Sequence, residues 1–191
     1  MPSNVFKSRT MVKLAGLFLA IASVVAFASS ASASPARPAA ISGHPKYTVT
    51  PVKNPNTGAV SSVLVPAKTP AEVVARHLKA LNACNWKGLM AQYPDQVEIY
   101  LPGGTVEKGR KAVGDLFAGF VLPAKKGGLC GIKFSTLSSK IVNGTTVIVK
   151  WVARASFLVK PYEGTDAYFT DCGLLVDQVS TFNSADLKMK K

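Results

Sequence analysis

The chain has 191 residues, room for one domain of ordinary size, and carries 23 basic against 10 acidic residues with 48% hydrophobic content. That apolar fraction excludes a disordered chain, and two histidines with three cysteines at no zinc-like spacing exclude a metal protein of the finger type. The formal charge of +13 favours anionic surfaces, yet the basic residues lack the aromatic interleaving of single-strand binders, so no specific nucleic acid is expected.

No acidic residue precedes Glu72. Lys7, Arg9 and Lys13 stand before an apolar run from Leu14 to Ala28, and Ala31-Ser32-Ala33 follows as a small-residue cleavage pattern. Residues 1–33 therefore read as a secretory signal peptide, since a run of about fifteen apolar residues is short against the roughly twenty of a membrane span. The mature chain is expected to be secreted or periplasmic, without stable membrane insertion after leader cleavage. Without the leader's three basic residues, 20 remain against 10 acidic ones. Cys84, Cys130 and Cys172 then meet an oxidising compartment, where the arithmetic is one disulfide and one leftover thiol.

Residues 34–68 are rich in Pro, Ala, Ser and Thr and read as a linker. Within them Tyr47 to Lys53 and Val60 to Val65 are β-prone and flank the turn chemistry of Asn54-Pro55-Asn56-Thr57-Gly58, which allows a small hairpin with Pro51 on an edge. His44 falls in the linker and is expected to be exposed. The globular domain is placed at 69–184. Thr69-Pro70-Ala71-Glu72 combines an N-cap, a proline at the first helical position and a capping-box glutamate. Val73, Val74, His77, Leu78 and Leu81 follow at helical spacing, so a titratable side chain shares the apolar face. Asn85 caps a second helix from Trp86 to about Gln92, ended by Pro94.

Val97, Ile99 and Leu101 alternate with Glu98 and Tyr100 as in a half-buried strand. Pro102-Gly103-Gly104 turns the chain into a third helix from about Arg110, with a stripe of Val113, Leu116, Phe117, Phe120 and Val121. Strands are then predicted over Cys130 to Val142, Thr145 to Val159, Thr165 to Thr170 and Leu174 to Phe182, the first two joined by the hairpin signal Asn143-Gly144. Residues 185–191 form a basic tail. Three helices followed by an antiparallel meander define an α+β fold, with the helices packed across one face of a curved sheet. In that layout Cys130 and Cys172 lie at opposite ends of the sheet, too far apart for a bridge, so any disulfide is expected to include Cys84.

The wording of several joints adds to this. Thr69-Pro70 with Glu72, Leu81-Asn82-Ala83 before Asn85-Trp86, Tyr93-Pro94-Asp95 turning into Val97-Glu98-Ile99, and Gly109-Arg110 at the third helix resemble the nuclear transport factor 2-like superfamily, in particular its SnoaL-like and ketosteroid-isomerase-like branches. The resemblance covers about 69–183. It implies a cone, a strongly curved antiparallel sheet with three helices across it, enclosing a mostly apolar pocket, and a homodimer through the open sheet face. No cofactor or metal is implied. Steroid isomerases of this group use a tyrosine and a protonated aspartate as donors to a developing oxyanion, with a second aspartate as base.

Carried onto this chain, the tyrosine position falls on His77 and the donor aspartate on Asp166, while the base position falls on Leu101. Leucine cannot move a proton. Steroid isomerisation is therefore not expected, and a small apolar ligand is the implied partner, contacted by Tyr100, Leu101, Trp151 and Tyr168. His77 and Asp166 remain a candidate acid–base pair for a cyclase, isomerase or hydrolase. The bland alternative is that the two hydrogen-bond each other and fill the cone.

Overall fold

The computed structural model describes residues 47–190. The expected signal peptide, His44 and the first part of the expected linker lie outside the described residues. Tyr47 onward is bound to the domain. Val52–Lys53 (β1) and Val60–Ser61 (β2) form the small antiparallel hairpin, with Val52, Asn54 and Ser61 buried. Asn54 Oδ1 accepts from the backbone of Asn56 and Thr57, so the turn is built as its composition requires. The linker reading thus fails from residue 47, because composition carries no information about a distant anchor.

That anchor is Arg110. It is 2% exposed, and its guanidinium donates to the Thr50 carbonyl at 3.1 Å, to Ser61 Oγ at 3.0 Å, to the Met90 carbonyl at 2.5 Å and to the Tyr93 carbonyl. One planar fork ties the N-terminal arm to the turn beyond the second helix.

Helix α1 (Pro70–Asn82) starts where the capping box places it: Thr69 Oγ1 accepts from Glu72 N, and Glu72 Oε2 reaches back to Lys68 N at 2.7 Å. It buries Val73, Val74, His77, Ala80 and Leu81, leaving Leu78 half-buried. Helix α2 (Trp86–Met90) is capped by Asn85, and its Trp86 Nε1 donates to the Gly114 carbonyl at 2.8 Å. Helix α3 (Gly109–Phe120) buries Arg110, Val113, Gly114, Phe117 and Ala118.

Six strands form one open sheet: β3 (Glu98–Tyr100), β4 (Val106–Lys108), β5 (Lys133–Val142), β6 (Thr146–Arg154), β7 (Tyr162–Asp171) and β8 (Leu174–Thr181), in the order β4-β3-β8-β7-β6-β5. The expected meander is antiparallel, and β3 joins it parallel to β8, which makes the sheet mixed. Strand β4 has no counterpart in the sequence reading; at three residues it is too short to show alternation. The turns at Asn143-Gly144 and Cys172-Gly173 both place two successive residues at positive φ, the geometry that follows the twist of a two-residue hairpin. Gly173 is needed twice over, because a Cβ there would lie 2.1 Å from the Ala67 carbonyl oxygen. Bulges between Thr136 and Ser138 and between Phe169 and Thr170 add local bend. The helices cover one face of this α+β sheet, where Val147, Val149, Trp151 and Ala153 are all buried.

The disulfide joins Cys84 to Cys130 with Cα atoms 5.5 Å apart, and Cys172 is free. It fastens the end of α1 to the loop before β5, beside the clamp in which Asn82 exchanges two hydrogen bonds with the Phe134 backbone. Among the described residues, no helix is long and apolar enough to cross a membrane. The disulfide is compatible with an extracellular or periplasmic protein.

Candidate functional site

Between the helices and the sheet lies a cavity of about 520 Å³. Leu78 and Leu81 of α1, Leu116, Phe117 and Phe120 of α3, and Phe134 of β5 give it an apolar wall. Strand alternation sets the rest. On β7 the inward positions are Tyr162, Gly164, Asp166 and Tyr168; Asp166 lies opposite Val149 on one side and Ser180 on the other.

His77 is fully buried, with ring centroids 5.4 Å from Tyr168, 5.8 Å from Phe117 and 5.9 Å from Tyr93. Its Nδ1 is 3.2 Å from the Tyr93 hydroxyl, which donates to Gln178 Oε1 at 3.2 Å; Gln178 Nε2 in turn donates to Ser180 Oγ at 3.0 Å. With the Tyr93 proton directed at Gln178, Nδ1 is the donor to the Tyr93 oxygen, and Nε2 keeps its lone pair. That atom makes no hydrogen bond. Burial pushes the His77 pKa down to about 3, so the imidazole is neutral at ordinary pH.

Asp166 is the second centre. The Tyr168 hydroxyl donates to Oδ2 at 2.8 Å, whereas Oδ1 makes no hydrogen bond. Burial raises the carboxyl pKa, with Tyr168, Trp151 and Ser180 beside it acting in the opposite direction. The Tyr93 and Tyr168 hydroxyls are pushed far up by burial and stay protonated.

The two groups therefore do not bond each other, and each is held by a tyrosine. His77, Leu101, Asp166, Trp151 and Tyr168 all line the cavity. Tyr100 is a correction: Ile99 takes the inward position of β3, and Tyr100 is 41% exposed on the opposite face, bonded to Glu98 Oε2 at 2.6 Å. Tyr93, Gln178, Ser180 and Tyr162 were missed. Gln178 and Ser180 carry a signal, two polar residues on the inward face of a strand, but Tyr93 sits in an irregular turn with no periodicity to mark it. Glu107 of β4, opposite Ile99, also lines the cavity. Among the described residues, no group of His, Cys, Asp and Glu is arranged to hold a metal.

The depressed pKa of His77 has a sign in stability. Unfolded, the imidazole takes a proton near pH 6.5; folded, it does so only near 3. Stability should therefore fall as pH drops through this window, by up to about 1.4 kcal/mol per pH unit. Asp166, with a raised folded pKa, acts oppositely, favouring the folded state at low pH and losing that contribution as pH rises from its unfolded value. His77→Phe removes only the first. In urea titrations its stability should decline less steeply between pH 6.5 and 4 than that of the native chain, and parallel slopes would refute the assignment.

No protein-family model and no curated protein matches the sequence. Solved structures share the fold. The epoxide hydrolase/cyclase-like enzyme SalBIII, described in pyran ring formation in the polyether salinomycin, is 15% identical over 63% of this chain and 95% of that one, with a TM-score of 0.52. A computationally designed 17-OHP binder is 17% identical over 65% and 99%, also at 0.52. An LEH-like epoxide hydrolase of M. tuberculosis is 15% identical over 63% and 89%, at 0.50. At such identities the likeness shows the fold alone: the described domain has the nuclear transport factor 2-like architecture.

Proposed function

We propose that the chain is an exported binding protein whose cavity holds a small apolar molecule carrying a hydrogen-bonding group. The observation behind this reading is chemical. In a largely apolar cavity of about 520 Å³, His77 Nε2 and the Tyr162 hydroxyl make no hydrogen bond, and Asp166 Oδ1 has only Trp151 and Ser180 nearby, beyond full hydrogen-bonding distance. Each buried polar atom without a partner costs about 1–3 kcal/mol, a cost that a ligand's polar group removes. The cavity volume lies in the range of small-molecule sites. Leu101 at the base position supports binding over isomerisation, and the designed 17-OHP binder is an instance of this fold holding a ligand. The signal-peptide reading of residues 1–33 supplies the export. The homodimer belongs to the same reading, with Ile148 and Phe169 exposed on the outer sheet face.

The test is titration with the neutral fluorophore N-phenyl-1-naphthylamine. The native chain should give a saturable increase in emission, and Leu116→Trp, which fills the cavity from α3, should abolish it. No saturation, or binding that Leu116→Trp leaves intact, would sink the reading.

A second reading is favoured by the free lone pair on His77 Nε2 in the same cavity as a carboxyl of raised pKa. There His77 is the base and Asp166 the acid of a cyclase, isomerase or hydrolase, classes to which the epoxide hydrolase and cyclase-like neighbours belong. His77→Phe separates the two: a binder keeps its ligand, whereas an enzyme keeps binding and loses turnover by two or more orders of magnitude.

A further inference from the structure

The charged side chains on the cavity wall are of one sign. Glu107, Asp115 and Asp166 line it, three of the chain's 10 acidic residues, whereas among the described residues no lysine or arginine does, in a chain that carries 23. His77 is the remaining basic side chain there, and burial keeps it neutral. Asp115 is already engaged, with Lys111 Nζ 2.7 Å from its Oδ2 on the exposed side of α3. Glu107 is half-buried, and among the described residues its carboxylate has no ion pair or hydrogen bond. Register gives its place: Glu107 lies opposite Ile99, and Ile99 opposite Gln178, so two strand spacings, about 10 Å, separate it from the polar residues under His77. The second feature is the sense of the unmet hydrogen bond. His77 is fully buried and its Nδ1 is used on Tyr93, so Nε2 presents a lone pair that no donor in the protein meets. Only a ligand N–H or O–H answers an acceptor placed there.

From these two features we infer that the cavity takes a protonated apolar amine. An ammonium N–H goes to His77 Nε2, Asp166 and Glu107 supply the counter-charge, and the hydrocarbon body lies against the apolar wall. A low-dielectric cleft lined by charges of one sign concentrates their field inside it. At an effective dielectric of about 20, a carboxylate about 10 Å from an ammonium strengthens its binding roughly tenfold before salt screening. Burial raises the pKa of Asp166, and a cation in the cavity favours its ionised form, so ligand and carboxylate stabilise each other's charge. The field of the whole chain runs the other way. Its formal net charge is +13, so surface attraction favours anions, and a preference for cations comes from the cavity. This inference rests on the cavity being a binding site, and it narrows the ligand's polar group to a cationic donor.

The experiment measures displacement of N-phenyl-1-naphthylamine by octylamine, 1-octanol and octanoate at neutral pH, on the full chain and on Glu107→Gln. The three share one hydrocarbon tail and differ in charge, the amine being protonated at this pH. Octylamine should bind about tenfold more tightly than 1-octanol, the advantage of a charge-assisted hydrogen bond over a neutral one. Octanoate should be the weakest of the three. Glu107→Gln removes one charge without touching the buried network around His77. It should cut the octylamine advantage about three- to tenfold and leave 1-octanol within about twofold. Octanoate binding as tightly as octylamine, octylamine no tighter than 1-octanol, or an amine-to-alcohol ratio that Glu107→Gln leaves unchanged would overturn the amine assignment while leaving the cavity reading intact. Failure of all three to displace the fluorophore would overturn both.

Discussion

Arg110→Met is expected to cost about 4 kcal/mol of folding stability. The guanidinium is buried and fully engaged with the carbonyls of Thr50, Met90 and Tyr93 and with Ser61 Oγ. Hydrogen bonds to a charged donor contribute roughly 1.5–3 kcal/mol each, and a buried carbonyl left without its donor costs about 1–3. Burial lowers the pKa of Arg110 while the Asp95 carboxylate nearby opposes this, and the group stays charged. Methionine fills part of the volume and restores none of the donors. Urea denaturation should show the loss, and limited proteolysis should find the 47–61 arm cut faster. The effect reaches the site, because Arg110 holds the backbone of Tyr93, whose hydroxyl orients His77. A loss under about 1 kcal/mol, with the arm still protected, would mean that packing rather than the fork holds the arm.

Removing the Cys84–Cys130 disulfide is expected to cost about 2–4 kcal/mol. The bridge spans a sequence separation of 46, and a loop of that length in the unfolded chain carries a closure entropy near the upper end of this range. The double variant Cys84→Ser with Cys130→Ser should stay folded, because Asn82 still bonds the Phe134 backbone from the end of α1. Leu129 and Ile132, on either side of Cys130, line the cavity. N-phenyl-1-naphthylamine should accordingly bind the variant several times more weakly. Equal unfolding midpoints with and without a thiol reductant would show that the bridge adds nothing to stability.

Much of the architecture was legible because its signals are local. The capping box of α1, the Asn85 cap of α2 and the Asn143-Gly144 turn are each satisfied within a few residues, so their positions follow from chemistry that no distant contact can change. The helical spacing that buried His77 is equally local. The α+β class, and the inclusion of Cys84 in the bridge, then followed from the order of these elements. Residues 47–68 were misread for the opposite reason. Their Pro, Ser and Thr content is that of a linker, and only Arg110, about sixty residues on in sequence, makes them part of the domain.

The site divides along the same line. The sequence by itself determined that a histidine faces the core and that an aspartate and a tyrosine share one face of β7. Only the tertiary structure decided whom they meet. His77 is held by Tyr93, not by Asp166, Tyr100 points outward, and Gly164 leaves the gap that lets the Trp151 indole lie across β7. Helix and turn signals are fixed by the backbone's own hydrogen-bonding needs within one turn of chain. The partner of a buried polar side chain is fixed by strand register and helix placement, which depend on the whole domain closing at once.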